Sequence, residues 1–374
     1  MAADATTAGR GAQALVGGDQ LRATATEAAA PRAPVLEVRE LSVEYATSGR
    51  PARAVDRVSL EVRSGEFLGV VGESGCGKST LLFAIALLLR PPAERVGGSV
   101  LFHGRDLTAF GEEELREVRW RGLSLVMQSA MSALNPVKTI GALFADVLKA
   151  HGTRDDEEIA ERSHEAMRLV GIDAVHLRSY PHQLSGGMRQ RAMIAMALLL
   201  SPELVLMDEP TSALDVVAQR ALMYQIRRLQ QELGFAVVFV THDMSLVAQF
   251  SDRLAVMYAG QVVETGPTQD VFDRPAHPYA RGLFDAFPSI RGPRRDLTGI
   301  PGAPPDLGDP PPGCRFHPRC PKAFSQCCRV EPAVSQVSRV DVRCLLYEPA
   351  RGDPGTGAPE PTAGTAPAPA AEQT

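Results

Sequence analysis

A glycine-rich loop limits the possible folds of this chain more than any other feature. The segment GESGCGKST, residues 72–80, follows the apolar run FLGVV and precedes a helical pattern that starts near Leu81. It matches the pattern G-x-x-x-x-G-K-[ST] in the strand–loop–helix context that this pattern requires. Backbone N–H groups of such a loop converge on phosphate oxygens, and the helix N-terminus adds a partial positive charge. The sequence therefore predicts a nucleotide phosphate site between a strand and a helix.

The side chains of this loop have separate predicted tasks. The Lys78 ammonium is expected to reach the β- and γ-phosphates, and the Ser79 hydroxyl is expected to hold Mg²⁺. The side chain of Cys76 is expected to point away from the phosphates, so this cysteine is incidental to the chemistry. The predicted nucleotide-binding loop consists of Gly72, Glu73, Ser74, Gly75, Cys76, Gly77, Lys78, Ser79 and Thr80.

The run LVLMDEP, residues 204–210, supplies the acidic partner of the loop. A buried strand would deliver Asp208 to the metal, through a water molecule. Glu209 follows directly, and a second carboxylate at the C-terminal end of a strand suits a general base or a group that orients the attacking water. The structural alternative is an acidic pair that caps a helix. We interpret the pair as catalytic.

Composition excludes several classes of protein. A formal net charge of −5 gives no basic surface for nucleic acid. The longest apolar run, residues 81–89, is well short of the roughly 20 residues that a membrane-spanning helix needs. The N-terminus shows no charged region followed by an apolar stretch, so no signal peptide is predicted. We expect a cytoplasmic protein that acts at a membrane only through the helices of a partner.

The order of the patterns predicts an α/β fold. Short continuous apolar runs, as expected for strands buried on both faces of a parallel sheet, alternate with helical stretches. The predicted divisions are a disordered arm over residues 1–33, a nucleotide-binding domain over 34–288 with a helical subdomain at about 129–200, a C-terminal extension over 289–349, and a disordered tail over 350–374.

The segment LSGGMRQR, residues 184–191, lies between the phosphate loop and the acidic strand. With this segment the chain resembles the ATP-binding subunits of ABC transporters, from about Val35 to Cys344. The resemblance implies an ABC-type P-loop NTPase core with a parallel sheet, an antiparallel β subdomain and a helical subdomain. It also implies that Ser185, Gly186 and Gly187 open a helix that faces the nucleotide on a second subunit.

The resemblance assigns roles to further residues. Gln128 matches the glutamine that senses Mg²⁺ and the membrane partner, so that Ser79, Gln128 and Asp208 would hold the metal. His242 matches the histidine that contacts the γ-phosphate, and Asp215 belongs to the matched segment SALD. Tyr45 matches the aromatic residue that stacks on adenine. The implied catalytic residues are Glu209, His242 and Gln128. Two chains would meet head to tail with two ATP molecules between them.

Four more segments resemble the oligopeptide and dipeptide importer branch: MSALNPVKTIG, YPHQLSGGMRQR, VMYAGQVVETG and HPYARGL. One departure is that Ser129 and Ala130 replace an acidic residue and a proline. This branch uses a second ATPase (a paralogue or a second copy), two membrane permeases and an extracytoplasmic binding protein. The resemblance implies ATP hydrolysis coupled to peptide import at the cytoplasmic face of the cell membrane. The alternative solute is nickel, an opine or another small molecule. A soluble ATPase acting on DNA would need long coiled coils, which the sequence lacks.

Five cysteines lie near the C-terminus. Cys314, Cys320, Cys327 and Cys344 have the spacing C-x5-C-x6-C-x16-C and match cysteines of this branch, which in some members hold a [4Fe–4S] cluster. Four thiolates are the usual ligands of such a cluster. Zinc on the same thiolates, or no metal at all, are the alternatives. Cys328 is interpreted as a spare. The role of a cluster would be structural or regulatory.

Overall fold

The computed structural model describes residues 34–128, 134–212, 214–286 and 299–348. Four of the predictions fall outside these ranges: the N-terminal arm, the departure at Ser129 and Ala130, the domain boundary near residue 288, and the C-terminal tail. The helices, in chain order, are α1 Lys78–Ile85, α2 Glu112–Val118, α3 Ile140–Ala150, α4 Asp156–Leu169, α5 Gly186–Leu198, α6 Val216–Leu233, α7 Met244–Phe250, α8 Thr268–Asp273 and α9 Pro278–Asp285. The strands are β1 Pro34–Tyr45, β2 Ala52–Arg63, β3 Phe67–Val71, β4 Ala93–Phe102, β5 Arg105–Asp106, β6 Leu123–Val126, β7 Leu204–Asp208, β8 Ala236–Val240, β9 Arg253–Tyr258, β10 Gln261–Pro267, β11 Val334–Val337 and β12 Val340–Arg343.

The larger sheet forms the centre of the fold. Its order over the described residues is β11-β12-β10-β9-β3-β8-β7-β6, and the neighbours from β9 to β6 run parallel. Every residue of β3, β7 and β8 is buried. These are the continuous apolar runs of the sequence, and they are apolar at every position because both faces of the sheet are covered. The predicted α/β fold with a parallel sheet is confirmed.

A smaller antiparallel sheet packs beside the core. It has the order β2-β1-β4-β5 within the described part of the chain. Its strands bury apolar side chains such as Leu36, Val38 and Val55, which form a core with α1 and the second face of the larger sheet. Tyr45 is the last residue of β1 and therefore lies at the end of this sheet that is next to α1.

A group of helices, α3 to α5, separates β6 from β7 in the sequence. The helix α3 buries Ile140, Phe144 and Leu148, one residue per turn on a single face, and this face joins a core that also contains Met167 of α4. Ser185 caps the N-terminus of α5. The signature segment thus lies at the start of a helix in this helical region.

The C-terminal segment extends the central sheet. The strand β12 pairs antiparallel with β10, where Val342 lies opposite Glu264, and β11 pairs with β12. Val342 is fully buried. The segment from Gly299 to Glu348 therefore shares hydrogen bonds and core with the ATP-binding part of the chain. Over the described ranges, no helix combines the length and the apolar character that crossing a bilayer requires.

Candidate ATP-binding and hydrolysis site

The parallel strands bring the predicted site residues to one edge of the sheet. The strands β3, β8, β7 and β6 are neighbours, so their carboxyl ends lie side by side. The phosphate loop follows β3, Gln128 follows β6, Glu209 follows β7 and His242 follows β8. Residues that are far apart in the sequence therefore meet because of the strand order.

The loop between β3 and α1 curls around the Lys78 ammonium. Lys78 Nζ donates to the carbonyl oxygens of Gly72 at 2.8 Å and Glu73 at 2.9 Å. Gly77 caps α1 with a left-handed φ of 105°, and a Cβ there would overlap the carbonyl oxygen of Ala54. This position therefore needs glycine. The ammonium has three N–H donors, and the third faces the sulfur of Cys76 at 3.7 Å, a weak acceptor that a phosphate oxygen would replace.

The Cys76 side chain is buried in the loop and lies 3.7 Å from Lys78 Nζ. Burial raises the pKa of this thiol, and the charge of Lys78 opposes that rise. The thiol therefore stays protonated at neutral pH and packs with the core beneath the loop. Ser74 and Gly75 form the turn that precedes it.

Ser79 and Asp208 form the pair that fits a divalent cation. Ser79 Oγ donates to Asp208 Oδ1 at 3.0 Å, and Asp208 is only 3% exposed. Burial raises the pKa of this carboxyl, as does the charge of Glu209, while the Ser79 hydrogen bond and Lys78 oppose the rise. A hydroxyl and a carboxylate oxygen at this spacing are the oxygen ligands that Mg²⁺ prefers. A bound cation would also stabilise the ionised carboxylate.

Two side chains meet at the Glu209 carboxylate. The Gln128 amide donates to Glu209 Oε2 at 2.7 Å, and His242 Nδ1 lies 3.3 Å from Glu209 Oε1. Glu209 itself has a left-handed φ of 43° directly after β7, while its N–H donates to the carbonyl of Val240 at 2.9 Å. Positive φ strains a residue with a Cβ, and such strain is concentrated at functional sites. Of the three predicted metal ligands, Ser79 and Asp208 are hydrogen-bonded to each other. The amide of the third, Gln128, is hydrogen-bonded to Glu209 instead.

An open pocket surrounds this carboxylate. It is lined by Glu209, Thr211, Ser212, Gln219, Thr241, His242 and Asp243. The carboxylate is partly exposed and has two polar neighbours, so it can accept a proton from a water molecule in the pocket. Such an arrangement suits a general base.

Tyr45 lies beside the first turn of α1. Its hydroxyl shares a hydrogen bond of 3.1 Å with Thr80 Oγ1. The ring is thus held next to the first turn of α1 from the antiparallel sheet. Its stacking on adenine stays a prediction.

The signature and the SALD segment lie next to each other. Ser185 Oγ accepts from the N–H of Met188 at 3.3 Å, and Gly186 and Gly187 form the first turn of α5. A Cβ at Gly187 would lie 3.9 Å from Leu214. Asp215 caps α6 by accepting from the N–H groups of residues 217 and 218.

Two residues that the sequence did not single out touch the phosphate loop. The Tyr279 hydroxyl accepts from the N–H of Glu73 at 2.9 Å, and Arg319 forms two hydrogen bonds with the Glu73 carboxylate. Tyr279 belongs to the segment HPYARGL. This segment indicated the resemblance to the peptide-importer branch, but it did not predict that the tyrosine contacts the phosphate loop. Arg319 lies between Cys314 and Cys320. Its distance in sequence from the phosphate loop does not predict its ion pair with Glu73.

The C-terminal cysteines share one neighbourhood. Cys327 and Cys344 are buried, and the N–H of Cys314 donates to the carbonyl of Cys327 at 2.8 Å. Burial raises the pKa of Cys314 and Cys344 to about 11, and negative charge on the neighbouring thiols would raise both further. Cys320 is half-buried, while Cys328 is exposed. All six cysteines are free.

This neighbourhood does not have the geometry of a metal site. Within the described ranges, no group of three or more His, Cys, Asp or Glu side chains is placed to hold a metal ion. The sulfurs are close enough to affect one another's ionisation, but they do not converge as ligands. The structure therefore does not support an iron–sulfur cluster or a zinc site as the chain stands.

Comparison with known proteins agrees with the geometry of the site. A family model described as "ABC transporter" matches residues 55–212. The solved structures "Dimeric Structure of MJ0796, a Bacterial ABC Transporter Cassette" and its post-hydrolysis state bound to ADP and Pi each have a TM-score of 0.57, at 29% and 28% identity. Each covers 62% of this chain and 98% of the cassette. The fold and the site thus define an ATP-binding ATPase of the ABC transporter class.

The family within that class follows from the whole chain. A second family model, "Oligopeptide/dipeptide transporter, C-terminal region", matches residues 263–327. The chain is 44% identical over 307 residues to the probable peptide ABC transporter ATP-binding protein y4tR of Sinorhizobium fredii, covering 81% of this chain and 92% of the relative. It is 41% identical over 314 residues to the oligopeptide transport ATP-binding protein OppD of Salmonella typhimurium, covering 83% and 93%. The chain belongs to the family of oligopeptide and dipeptide transporter ATP-binding proteins, and the predicted resemblance is confirmed.

Proposed function

We propose that this chain is the subunit that binds and hydrolyses ATP to energise an importer of dipeptides or oligopeptides. The observation that carries the proposal is the meeting of Gln128 and His242 on Glu209, beside the Ser79–Asp208 pair, in a chain of the peptide-transporter family. The relatives y4tR and OppD are named for peptides and oligopeptides. These names favour peptides over nickel, an opine or another small solute.

The residues of the site support a division of the chemistry. The Lys78 ammonium and the N–H groups of the loop bind and orient the phosphates. Glu209 accepts the proton of the attacking water, while Gln128 and His242 hold the carboxylate in position from two sides. Mg²⁺ held by Ser79 and Asp208, and by Gln128 if its amide leaves Glu209, would neutralise charge on the phosphates. His242 lines the pocket with an exposed ring, and in this proposal it contacts the γ-phosphate.

The site is completed by a second ATPase in this proposal. Ser185, Gly186 and Gly187 open α5 in the helical region, and the N-terminus of a helix favours phosphate. The cassette MJ0796 is dimeric in its solved structure. We infer a head-to-tail pair, formed with a second copy or a paralogue, in which Asp215 lies near the joint. Two permeases and an extracytoplasmic solute-binding protein would complete the importer at the cytoplasmic face of the membrane.

The cysteine segment keeps a separate prediction. Cys314, Cys320, Cys327 and Cys344 stay the predicted ligands of a [4Fe–4S] cluster, and this prediction rests on their spacing in the sequence and on the resemblance to the peptide-importer branch. Because thiols with a raised pKa are protonated, a metal would have to displace their protons. Iron and acid-labile sulfide measured on protein purified without oxygen test this. About four of each per chain support a cluster, while one zinc or no metal contradicts it.

The proposed function is tested in the assembled transporter. The chain would be reconstituted with its permeases in lipid vesicles, and ATP hydrolysis would be measured with and without peptide-loaded binding protein. A Glu209→Gln complex is the control for hydrolysis by contaminants. We expect peptides, and not nickel or opines, to stimulate hydrolysis and to accumulate in the compartment opposite the binding protein. Stimulation by another solute and none by peptides would overturn the proposed cargo.

A further inference from the structure

The C-terminal segment holds the phosphate loop by one side chain. Arg319 Nη1 donates to Glu73 Oε2 at 2.7 Å, and Nη2 donates to Glu73 Oε1 at 2.9 Å. The pair is therefore bidentate, the strongest and most directional form of contact between an arginine and a carboxylate. Arg319 is 8% exposed. This contact joins two parts of the chain that are 246 residues apart.

Each polar group of Glu73 has a partner. Its N–H donates to the Tyr279 hydroxyl at 2.9 Å, its carbonyl accepts from Lys78 Nζ at 2.9 Å, and its carboxylate binds Arg319. Lys78 is the loop residue that reaches for phosphate. The position of the Glu73 backbone therefore helps to set the position of the Lys78 ammonium, and Arg319 and Tyr279 fix that backbone.

The arm that carries Arg319 is itself held rigidly. Arg319 Nε donates to the carbonyl of Pro301 at 2.8 Å, which leaves both terminal nitrogens for Glu73. Phe316 is buried, and its ring centroid lies 5.2 Å from that of Tyr258 and 5.4 Å from that of Tyr279. One aromatic cluster thus supports both residues that touch Glu73. The hydrogen bond with Glu73 raises the pKa of Arg319, so the guanidinium stays charged.

A helical cap fixes Tyr279 from the other side. His277 Nδ1 accepts from the N–H of Tyr279 at 3.0 Å at the start of α9, and His277 is fully buried. The buried Glu264 carboxylate accepts from the N–H groups of Ala276 and His277. The segment HPY therefore forms a turn of fixed geometry. This turn directs the tyrosine hydroxyl at the phosphate loop.

We propose that Arg319 and Tyr279 are positioning residues that hold the phosphate loop in the shape that binds ATP. The inference rests on the proposed ATP site and adds a role for the C-terminal segment in it. Without Arg319 the Glu73 carboxylate would lose both its charged partner and its direction, and the loop would have to be ordered by the nucleotide. Ordering a loop on binding weakens affinity, because the entropy cost is then part of the binding free energy.

A purely structural role makes a different prediction. If Arg319 only joins the C-terminal segment to the core, its loss lowers thermal stability and leaves the folded fraction with normal affinity for ATP. Arg339 provides a matched control. It also lies in the C-terminal segment, and it pairs with Asp270 at 2.8 Å on the surface, away from the loop. Arg339→Ala removes an arginine ion pair without touching the ATP site.

The experiment measures the Kd of Mg-ATP by fluorescence titration, with the full chain and its partners, below the melting temperature of each variant. The variants are Arg319→Ala, Arg319→Lys, Glu73→Gln and the double variant Arg319→Ala with Glu73→Gln.

We expect Arg319→Ala to raise the Kd about tenfold. Arg319→Lys keeps the charge but loses the two-pronged contact of the guanidinium, so it should raise the Kd less. The double variant should bind about as weakly as the single variants, because both changes remove one contact. Arg339→Ala should bind like the wild type.

Two results separate the inference from the proposed function. Unchanged Kd in Arg319→Ala, with ATP bound normally by the wild type, overturns the positioning role and leaves the ATP site intact. Additive effects of Arg319→Ala and Glu73→Gln also overturn it, because they would show that the two residues act separately. Failure of the wild type to bind Mg-ATP would overturn the proposed function and the inference with it.

Discussion

The catalytic centre and the C-terminal segment are both built on charged side chains, but their contacts have different origins. In the centre, Glu209 and its partners follow neighbouring strands of one parallel sheet. In the segment, Arg315 and Arg319 reach Asp56 and Glu73, which are 259 and 246 residues earlier in the chain. The centre is thus positioned by sheet topology, whereas the segment adds ion pairs with distant residues to the pairing of β12 with β10. Removal of a charge in the centre should therefore lower the rate of ATP hydrolysis, whereas removal of a charge that holds the segment should lower the free energy of unfolding.

Removal of the Lys78 ammonium should have the largest effect. We expect Lys78→Ala to lower the rate of ATP hydrolysis by about a hundredfold or more, because Lys78 is the basic residue of the loop formed by residues 72–80. Phosphate release from Mg-ATP is the measurement. Lys322→Ala is the matched control, since Lys322 is an exposed lysine of the C-terminal segment. Equal losses in both variants would contradict a special role for the loop lysine.

Removal of the Asp56 charge should weaken the attachment of the C-terminal segment to the core and so lower the stability of the fold. Asp56 is 1% exposed and accepts from Arg315 at 2.7 Å and from Gln261 at 2.9 Å. We expect Asp56→Asn to lower the free energy of unfolding by roughly 3 kcal/mol, because it leaves the Arg315 charge buried without a full partner. Urea unfolding at neutral pH is the measurement.

The pH dependence sharpens this test. Burial alone would raise the pKa of Asp56, but Arg315, Gln261 and Arg57 outweigh it and lower the pKa below its usual 3.8. A lowered pKa gives stability that is present at neutral pH and is lost as the pH falls below about 3.8. The difference between wild type and Asp56→Asn should therefore shrink in acid. Asp309→Asn is the control, since Asp309 forms an exposed pair with Arg50 and should cost about 0.5 kcal/mol or less.

Two adjacent cysteines should show the smallest effects. Cys327 is 8% exposed, whereas Cys328 is exposed. We expect Cys327→Ser to destabilise the fold by about 1–2 kcal/mol, since a hydroxyl would be buried in place of a thiol, and Cys328→Ser to change stability by less than about 0.5 kcal/mol. Thermal unfolding compares the two. A larger loss of stability in Cys328→Ser than in Cys327→Ser would show that Cys328, and not Cys327, is the buried cysteine.

The sequence predicted the two regions unequally, for a physical reason. The sequence motifs that contain Gly72 to Thr80, Asp208 and Glu209 indicate their chemistry by residue type and spacing. The alternation of strands and helices predicts which strand ends meet. The ion pair between Arg319 and Glu73 depends on how the C-terminal segment folds back over the core. No periodicity or spacing encodes that path. The cysteine spacing predicted a shared neighbourhood, but not the distances on which ligation depends.

The strained backbone of Glu209 is a second feature that sequence patterns could not show. The left-handed φ of 43° arises because the chain must leave β7 while its N–H still binds the carbonyl of Val240. The register of β7 against β8 places Asp208 opposite Val240 and so brings the N–H of Glu209 to that carbonyl. The identity of the carboxylate was predictable, and its conformation was not.

The most direct test of the account is to measure ATP binding and hydrolysis together in Glu209→Gln. This change keeps the size of the side chain and removes the group that would accept the proton of water. We expect hydrolysis to fall by about a hundredfold or more while Mg-ATP still binds. Glu203→Gln, at an exposed glutamate before β7 that pairs with His103, should hydrolyse ATP like the wild type. Undiminished hydrolysis in Glu209→Gln would contradict the assignment of the catalytic base and with it the mechanism proposed for this site.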